Sequence, residues 1–164
     1  MSVLTAIDLE VPETFNVATY FVDRNVVAGR GSRVAIECGD RQITYAELLN
    51  KVNRFGSALR RLGVRPEERV LLLLVDGPEF AYSFFGAIKI GAVPVPLNTL
   101  WKGPDYEYVI RDSRASVLIV TADLLPNIEA VHADARRSLR HIIVVGSADT
   151  THRHTVFGLS LIHI

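Results

Sequence analysis

Cysteine, methionine and tryptophan each occur once in 164 residues, and lysine appears only as Lys51, Lys89 and Lys102. The lone thiol, Cys38, excludes an internal disulfide and a cysteine-based zinc cluster and fits a reducing compartment. It sits in an alternating, strand-like run, where a half-buried core thiol is expected rather than a nucleophile. Neither charge is in excess, with 18 basic and 18 acidic residues, so no net field draws the chain to nucleic acid or an anionic membrane. The arginines are scattered and form no phosphate-binding stripe. No apolar run is long enough to span a bilayer. Residues 1–10 carry neither the basic start nor the apolar stretch of a secretory signal, so a cytoplasmic protein is expected. A phosphate-binding glycine loop is missing too. Gly29-Arg30-Gly31 follows a helix pattern and precedes a strand pattern, the reverse of the order that opens a helix toward an anion.

What is present is ordinary globular material: 49% hydrophobic and 22% charged residues, enough to bury one core. Residues 1–13 read as an extended lead-in ending near Pro12. A helix is expected over 13–27, with Phe15, Ala18, Phe21 and Val22 on one side and Thr14 or Asn16 as its cap. Two short strands, 33–38 and 41–44, flank Gly39-Asp40, a two-residue hairpin signal. Thr44-Tyr45-Ala46-Glu47 is a capping box, in which a hydroxyl and a carboxylate take up free backbone N–H groups. The following helix carries Leu48, Val52, Phe55, Leu59 and Leu62 at core-facing spacing and ends at Gly63.

From Arg69 onward, strand and helix patterns alternate. Residues 70–75 are apolar without alternation, which marks a strand buried on both faces. Proline at the first helical position opens a helix over 78–90 that stops at Gly91. Pro94 and Pro96 in the next short strand, 93–95, point to a sheet edge or an irregular exit. A helix over 104–112, a strand over 116–121, a helix over 123–137 and a strand over 141–145 follow. The expected fold is α/β: a mostly parallel, doubly wound sheet with flanking helices and right-handed crossovers, preceded by a helix and a small hairpin. Residues 14–148 form this domain. Residues 149–164 turn from polar to apolar and stop mid-pattern; a buried final strand or a truncated, foreign tail such as read-through or adapter-derived codons accounts for them.

Two stretches carry more than periodicity. Ile43-Thr44-Tyr45-Ala46-Glu47-Leu48 resembles the opening helix motif of adenylate-forming enzymes, and Phe85 through Asn98 (FGAIKIGAVPVPLN) resembles their second motif. Residues 59–70 between them share the family's helix, glycine cap and strand entry. Phe15-Asn16, Tyr20-Phe21-Val22-Asp23, Cys38-Gly39-Asp40-Arg41 and Val52-Asn53-Arg54-Phe55-Gly56 are similar to benzoate-CoA ligases, and the resemblance covers about residues 14–146. It implies an N-terminal piece of an AMP-forming carboxylate-CoA ligase. A carboxylate would attack the α-phosphate of ATP, and the thiol of coenzyme A would then displace AMP. Implied cofactors are ATP, Mg²⁺ and coenzyme A, with an aromatic carboxylic acid as substrate.

The family's Ser/Thr/Gly-rich phosphate loop with its Pro-Lys-Gly, and its catalytic lysine, match nothing in residues 1–164. No catalytic residue and no metal site are therefore expected, and the chain alone is expected to be inactive. The resemblance places the loop 98–102 on the coenzyme A side, where Lys102 would meet a phosphate and Trp101 would shield the pantetheine path. The plainer reading is a solvated lysine and a tryptophan packed on the sheet edge. His152 and His154 lack a third ligand. Residues 146–151 follow a strand without a lysine and read as an ordinary loop. Tyr82, Phe84 and Phe85 read as core, and Arg111, Asp112 and Arg114 as a solvated helix end. Two other functions stay open: a fatty-acyl or amino-acid activating member, and a non-catalytic flavodoxin-like nucleotide or effector module. A subdomain taken alone is also expected to expose an apolar face and self-associate.

Overall fold

A computed structural model describes residues 12–146 and the backbone of Ser160–His163. The helical segment at the start runs over 17–30, with two stretches, Thr19–Asp23 and Val26–Arg30, wound as π-helix. Its cap is Asn16, whose Oδ1 accepts from the backbone N–H groups of Ala18 at 3.0 Å and Thr19 at 3.2 Å. Ala18 and Val22 are buried as expected, but Phe21 is 53% exposed. The wider π turn keeps residue i+4 on the inner face and rotates i+3 away from it. Gly29, at φ 75°, turns the chain into the hairpin.

Strands β1 (Val34–Cys38) and β2 (Arg41–Thr44) pair antiparallel across Gly39, which adopts φ 57°. Helix α1 (Tyr45–Arg61) begins with the expected box: Glu47 N–H donates to Thr44 Oγ1 at 3.3 Å, and Thr44 N–H donates to Glu47 Oε2 at 2.8 Å. The Thr44 N–H, together with the Thr44 hydroxyl that also donates to Glu47 Oε2 at 2.8 Å, holds the Glu47 carboxyl below its ordinary range. The further strands among the described residues are β3 (Arg69–Leu73), β4 (Val93–Pro96), β5 (Val117–Thr121), β6 (His141–Val145) and β7 (Ser160–His163). They form one parallel sheet in the order β4-β3-β5-β6-β7.

The crossovers are α2 (Pro78–Lys89), α3 (Gly103–Ser113) and a shorter α4 (Leu125–Glu129). Alternate residues of each central strand feed opposite faces. Val70, Leu72, Val117, Ile119 and Ile143 pack with Phe55 and Leu59 of α1 and Ala87 of α2. Leu71, Leu73, Leu118, Val120, Ile142 and Val144 pack with Tyr106 and Ile110 of α3 and Leu125 and Ile128 of α4. The sheet is therefore covered on both sides, and the unbroken apolar runs are explained.

β4 is an edge strand. The N–H groups of Val93 and of Leu97, just past the strand, donate to the carbonyls of Glu68, just before β3, and of Leu72, both at 2.9 Å. Pro94 and Pro96 fall at the alternate positions, where the missing donors cost no ladder bond and close the edge to further pairing.

Two sequence expectations need correction. β3 ends at Leu73, and Val75 is 53% exposed because its N–H turns to the Thr121 Oγ1, 3.2 Å away. The helix expected over 123–137 is broken into a turn at Ala122–Leu124, α4, and a turn at Ala135–Ser138. The apolar spacing survives, since Leu125, Ile128, Val131, Ala135 and Leu139 are all buried. Between the pieces Asp134 N–H donates to His132 Nδ1 at 3.3 Å, a local bond that competes with helix continuation.

Candidate functional site

Parallel α/β sheets present their loops for binding at the carboxyl ends of the strands, beside the point where strand order reverses. Here the reversal lies between β3 and β5, and the edge strand β4 delivers the loop 97–102 at the same end of the sheet. This loop is tightly organised. Asn98 Oδ1 accepts from Leu100 N–H at 2.9 Å, and the Asn98 carbonyl accepts from Trp101 N–H at 3.3 Å and from the Tyr106 hydroxyl at 3.0 Å. Lys102 caps α3, its N–H donating to Asp105 Oδ2 at 3.0 Å.

The two residues singled out in the sequence part company. Trp101 is half-buried on the α3 face of the sheet, its ring 6.2 Å from that of Tyr106 at 58°. Lys102 is exposed, and among the described residues it has no carboxylate partner. A free ammonium beside a rigid turn can meet an anionic group from solvent at little cost in ordering.

At the switch point itself the loop 74–77 leads into α2, whose first helical residue is Pro78. Proline removes one of the N–H groups that would face an anion there. Asp76 and Asp123 are exposed on either side of the Val75–Thr121 bond. Among the described residues no group of three His, Cys, Asp or Glu side chains is placed to hold a metal ion. The described residues alone thus assemble neither an anion cradle nor a metal cage, and no step through ATP or Mg²⁺ is derived from them. Of the loop 146–151 only Gly146, at φ 99°, is described, and His152 and His154 lie outside the described residues.

The aromatic residues of α2 pack into two clusters joined by an edge-to-face contact of Phe84 with Phe85 at 5.5 Å. Tyr82 and Phe85 pack with Val22, Leu48 and Val52, while Phe84 stacks on Phe80 at 5.8 Å beside the sheet. Burial pushes the Tyr82 hydroxyl pKa up. Arg111 pairs with Glu107 at 3.0 Å on the solvent side of α3. With Pro104, Tyr108, Asp112 and Arg114 they line an open depression of about 630 Å³, which the sequence did not single out. Its charges balance, so it offers no field for an anion. No helix among the described residues is long and apolar enough to cross a membrane.

Comparison with known proteins gives a consistent picture. Residues 23–157 match the family model described as AMP-binding enzyme. The chain is 43% identical over 141 residues to a benzoate–CoA ligase of Thauera aromatica, covering 85% of this chain and 27% of that protein. It is 45% identical over 134 residues to a 4-hydroxybenzoate–CoA/benzoate–CoA ligase of Rhodopseudomonas palustris, covering 82% of this chain and 25% of that protein. Among solved structures, an anthranilate CoA ligase in complex with anthranoyl-AMP superposes with a TM-score of 0.79 at 42% identity, over 84% of this chain and 26% of that one. The chain spans about a quarter of the length of these relatives. Their shared pattern over most of its residues, on the same α/β frame, leaves one assignment: the chain belongs to the AMP-binding enzyme family.

Proposed function

We propose that residues 14–146 are the N-terminal scaffold of an ATP-dependent ligase that joins an aromatic carboxylic acid to coenzyme A through an acyl adenylate. The observation that carries this reading is the 43% identity to a benzoate–CoA ligase spread over 141 residues, rather than concentrated in one motif. The scaffold's task is mechanical: a sheet buried on both faces fixes the carboxyl-end loops relative to one another. The anion cradle and the charge-neutralising lysine belong to other polypeptide, so the chain alone is inactive. Lys102 and Trp101 serve the coenzyme A side, with Lys102 meeting a phosphate and Trp101 shielding the thiol arm. The exposed Lys102, without a carboxylate partner among the described residues, and the ordered turn that carries it support this assignment. The reaction's setting is cytoplasmic, and benzoate-type acids are preferred over fatty or amino acids.

The test is a chimaera: residues 14–146 replace the matching segment of the Thauera ligase, and benzoate-dependent release of AMP and benzoyl-CoA is measured. Turnover within about tenfold of the parent is expected, because interface mismatches of 1.4 kcal/mol cost one decade. A folded chimaera without benzoate-dependent AMP release contradicts the proposal.

A further inference from the structure

Tyr106 is fully buried in the first turns of α3, among aliphatic side chains of the sheet face with Trp101 packed beside it. A buried phenol needs a hydrogen-bond partner, and this one has a single recorded acceptor, the Asn98 carbonyl eight residues earlier, at 3.0 Å. Phenylalanine would fill the same space without that demand, so the hydroxyl answers to the loop rather than to the core. The loop is pinned at both ends from α3: Tyr106 holds Asn98, and Asp105 holds the N–H of Lys102 at 3.0 Å. Between these anchors the Asn98 side chain clamps Leu100 N–H at 2.9 Å, although the Leu100 side chain is 81% exposed. An ordered turn held out into solvent from a buried anchor is a preorganised contact, which avoids the cost of ordering on binding.

We propose that Tyr106 is a positioning residue for the thioester-forming half-reaction: its hydroxyl fixes the 98–102 turn in the shape that receives coenzyme A. This rests on the reading of that turn as the coenzyme A side. Tyr106 is buried and its hydroxyl bonds to the turn, so its loss is expected to act through coenzyme A alone.

The experiment uses Tyr106→Phe in two settings. In the isolated chain, Trp101 is the sole tryptophan and reports the turn directly. Acrylamide quenching of its fluorescence is expected to rise about twofold, as one anchoring hydrogen bond is lost. In a full-length ligase bearing residues 14–146, the KM for coenzyme A is expected to rise about fivefold, with the KM for ATP and the acid-dependent pyrophosphate exchange unchanged. Unchanged quenching, or parallel loss of both half-reactions at a constant coenzyme A KM, overturns the proposal. Lys102→Ala separates the two layers. If it raises the coenzyme A KM while Tyr106→Phe does not, the positioning role alone fails. If it leaves that KM unmoved, the coenzyme A reading of the turn fails with it. Asn98→Ala, at an exposed position, removes the Leu100 clamp without touching the core; the same quenching and KM shifts are expected, and their absence counts against the proposal.

Discussion

Gly56 of α1 and Gly86 of α2 meet backbone to backbone. A Cβ added at Gly56 would stand 2.9 Å from the Gly86 carbonyl oxygen, and one added at Gly86 would stand 3.0 Å from Phe55 Cβ and 3.1 Å from both Gly56 N and Val52 O. The two helices therefore approach as closely as their backbones allow. The N-terminal segment is laced to the same helix pair, since Asn16 Nδ2 donates to the Ile88 carbonyl at 2.8 Å and Lys89 pairs with Asp23 at 2.5 Å.

This contact fixes the sign of a substitution. Alanine in place of a mid-helix glycine ordinarily adds up to about 1 kcal/mol of stability. At Gly56 the added carbon would force the helices apart, and Gly56→Ala is expected to cost roughly 1–3 kcal/mol, read as a fall in the urea midpoint. An unchanged or raised midpoint would show that the helices separate freely.

The cap of α1 gives a pH prediction. Hydrogen bonds from Thr44 depress the Glu47 pKa relative to the unfolded chain. A depressed carboxylate stabilises the fold above its unfolded pKa, and that contribution is lost as pH falls through the folded one. The stability difference between wild type and Glu47→Gln should thus be present at pH 7 and vanish in acid below the folded pKa. A difference independent of pH would mean that the charge contributes nothing. Thr44→Ala, which removes the hydroxyl acceptor, is expected to cost about 1 kcal/mol at pH 7.

Val17, Phe21 and Val27 on the N-terminal segment and Val34 on the hairpin are all exposed. In isolation the chain is expected to self-associate through such surface, and Phe21→Ser to lower the apparent mass in light scattering. Wild-type chain that stays monomeric at high concentration would contradict this.

The sheet was legible in the sequence because burial on both faces leaves unbroken apolar runs at 70–74, 117–120 and 142–145, and because glycine and proline mark the breaks between elements. Pro94 and Pro96 marked their strand as an edge or an irregular exit, and β4 lies at the edge. What escaped was decided by geometry that spacing does not carry. Phe21 left the inner face because the turn beneath it is π-wound. The break after α4 hid behind intact apolar spacing. Glu68 Oε2 accepts from Ser116 Oγ at 2.9 Å and from Arg140 at 3.0 Å, a tie between residues 48 and 72 positions apart that no local pattern announces. At the candidate site, Lys102 and Trp101 were named from resemblance, whereas Tyr106 was not singled out. A tyrosine in the first turn of α3, eight residues after an asparagine, was the available signal.

The central claim is that this polypeptide supplies framework and its relatives' remaining length supplies the reacting groups. The most direct measurement is benzoate-dependent pyrophosphate exchange by the purified isolated chain, set beside a full-length ligase bearing residues 14–146. The account predicts exchange by the full-length protein and none above background by the isolated chain. Exchange by the isolated chain, retained through repurification and lost when its own residues are substituted, would contradict it.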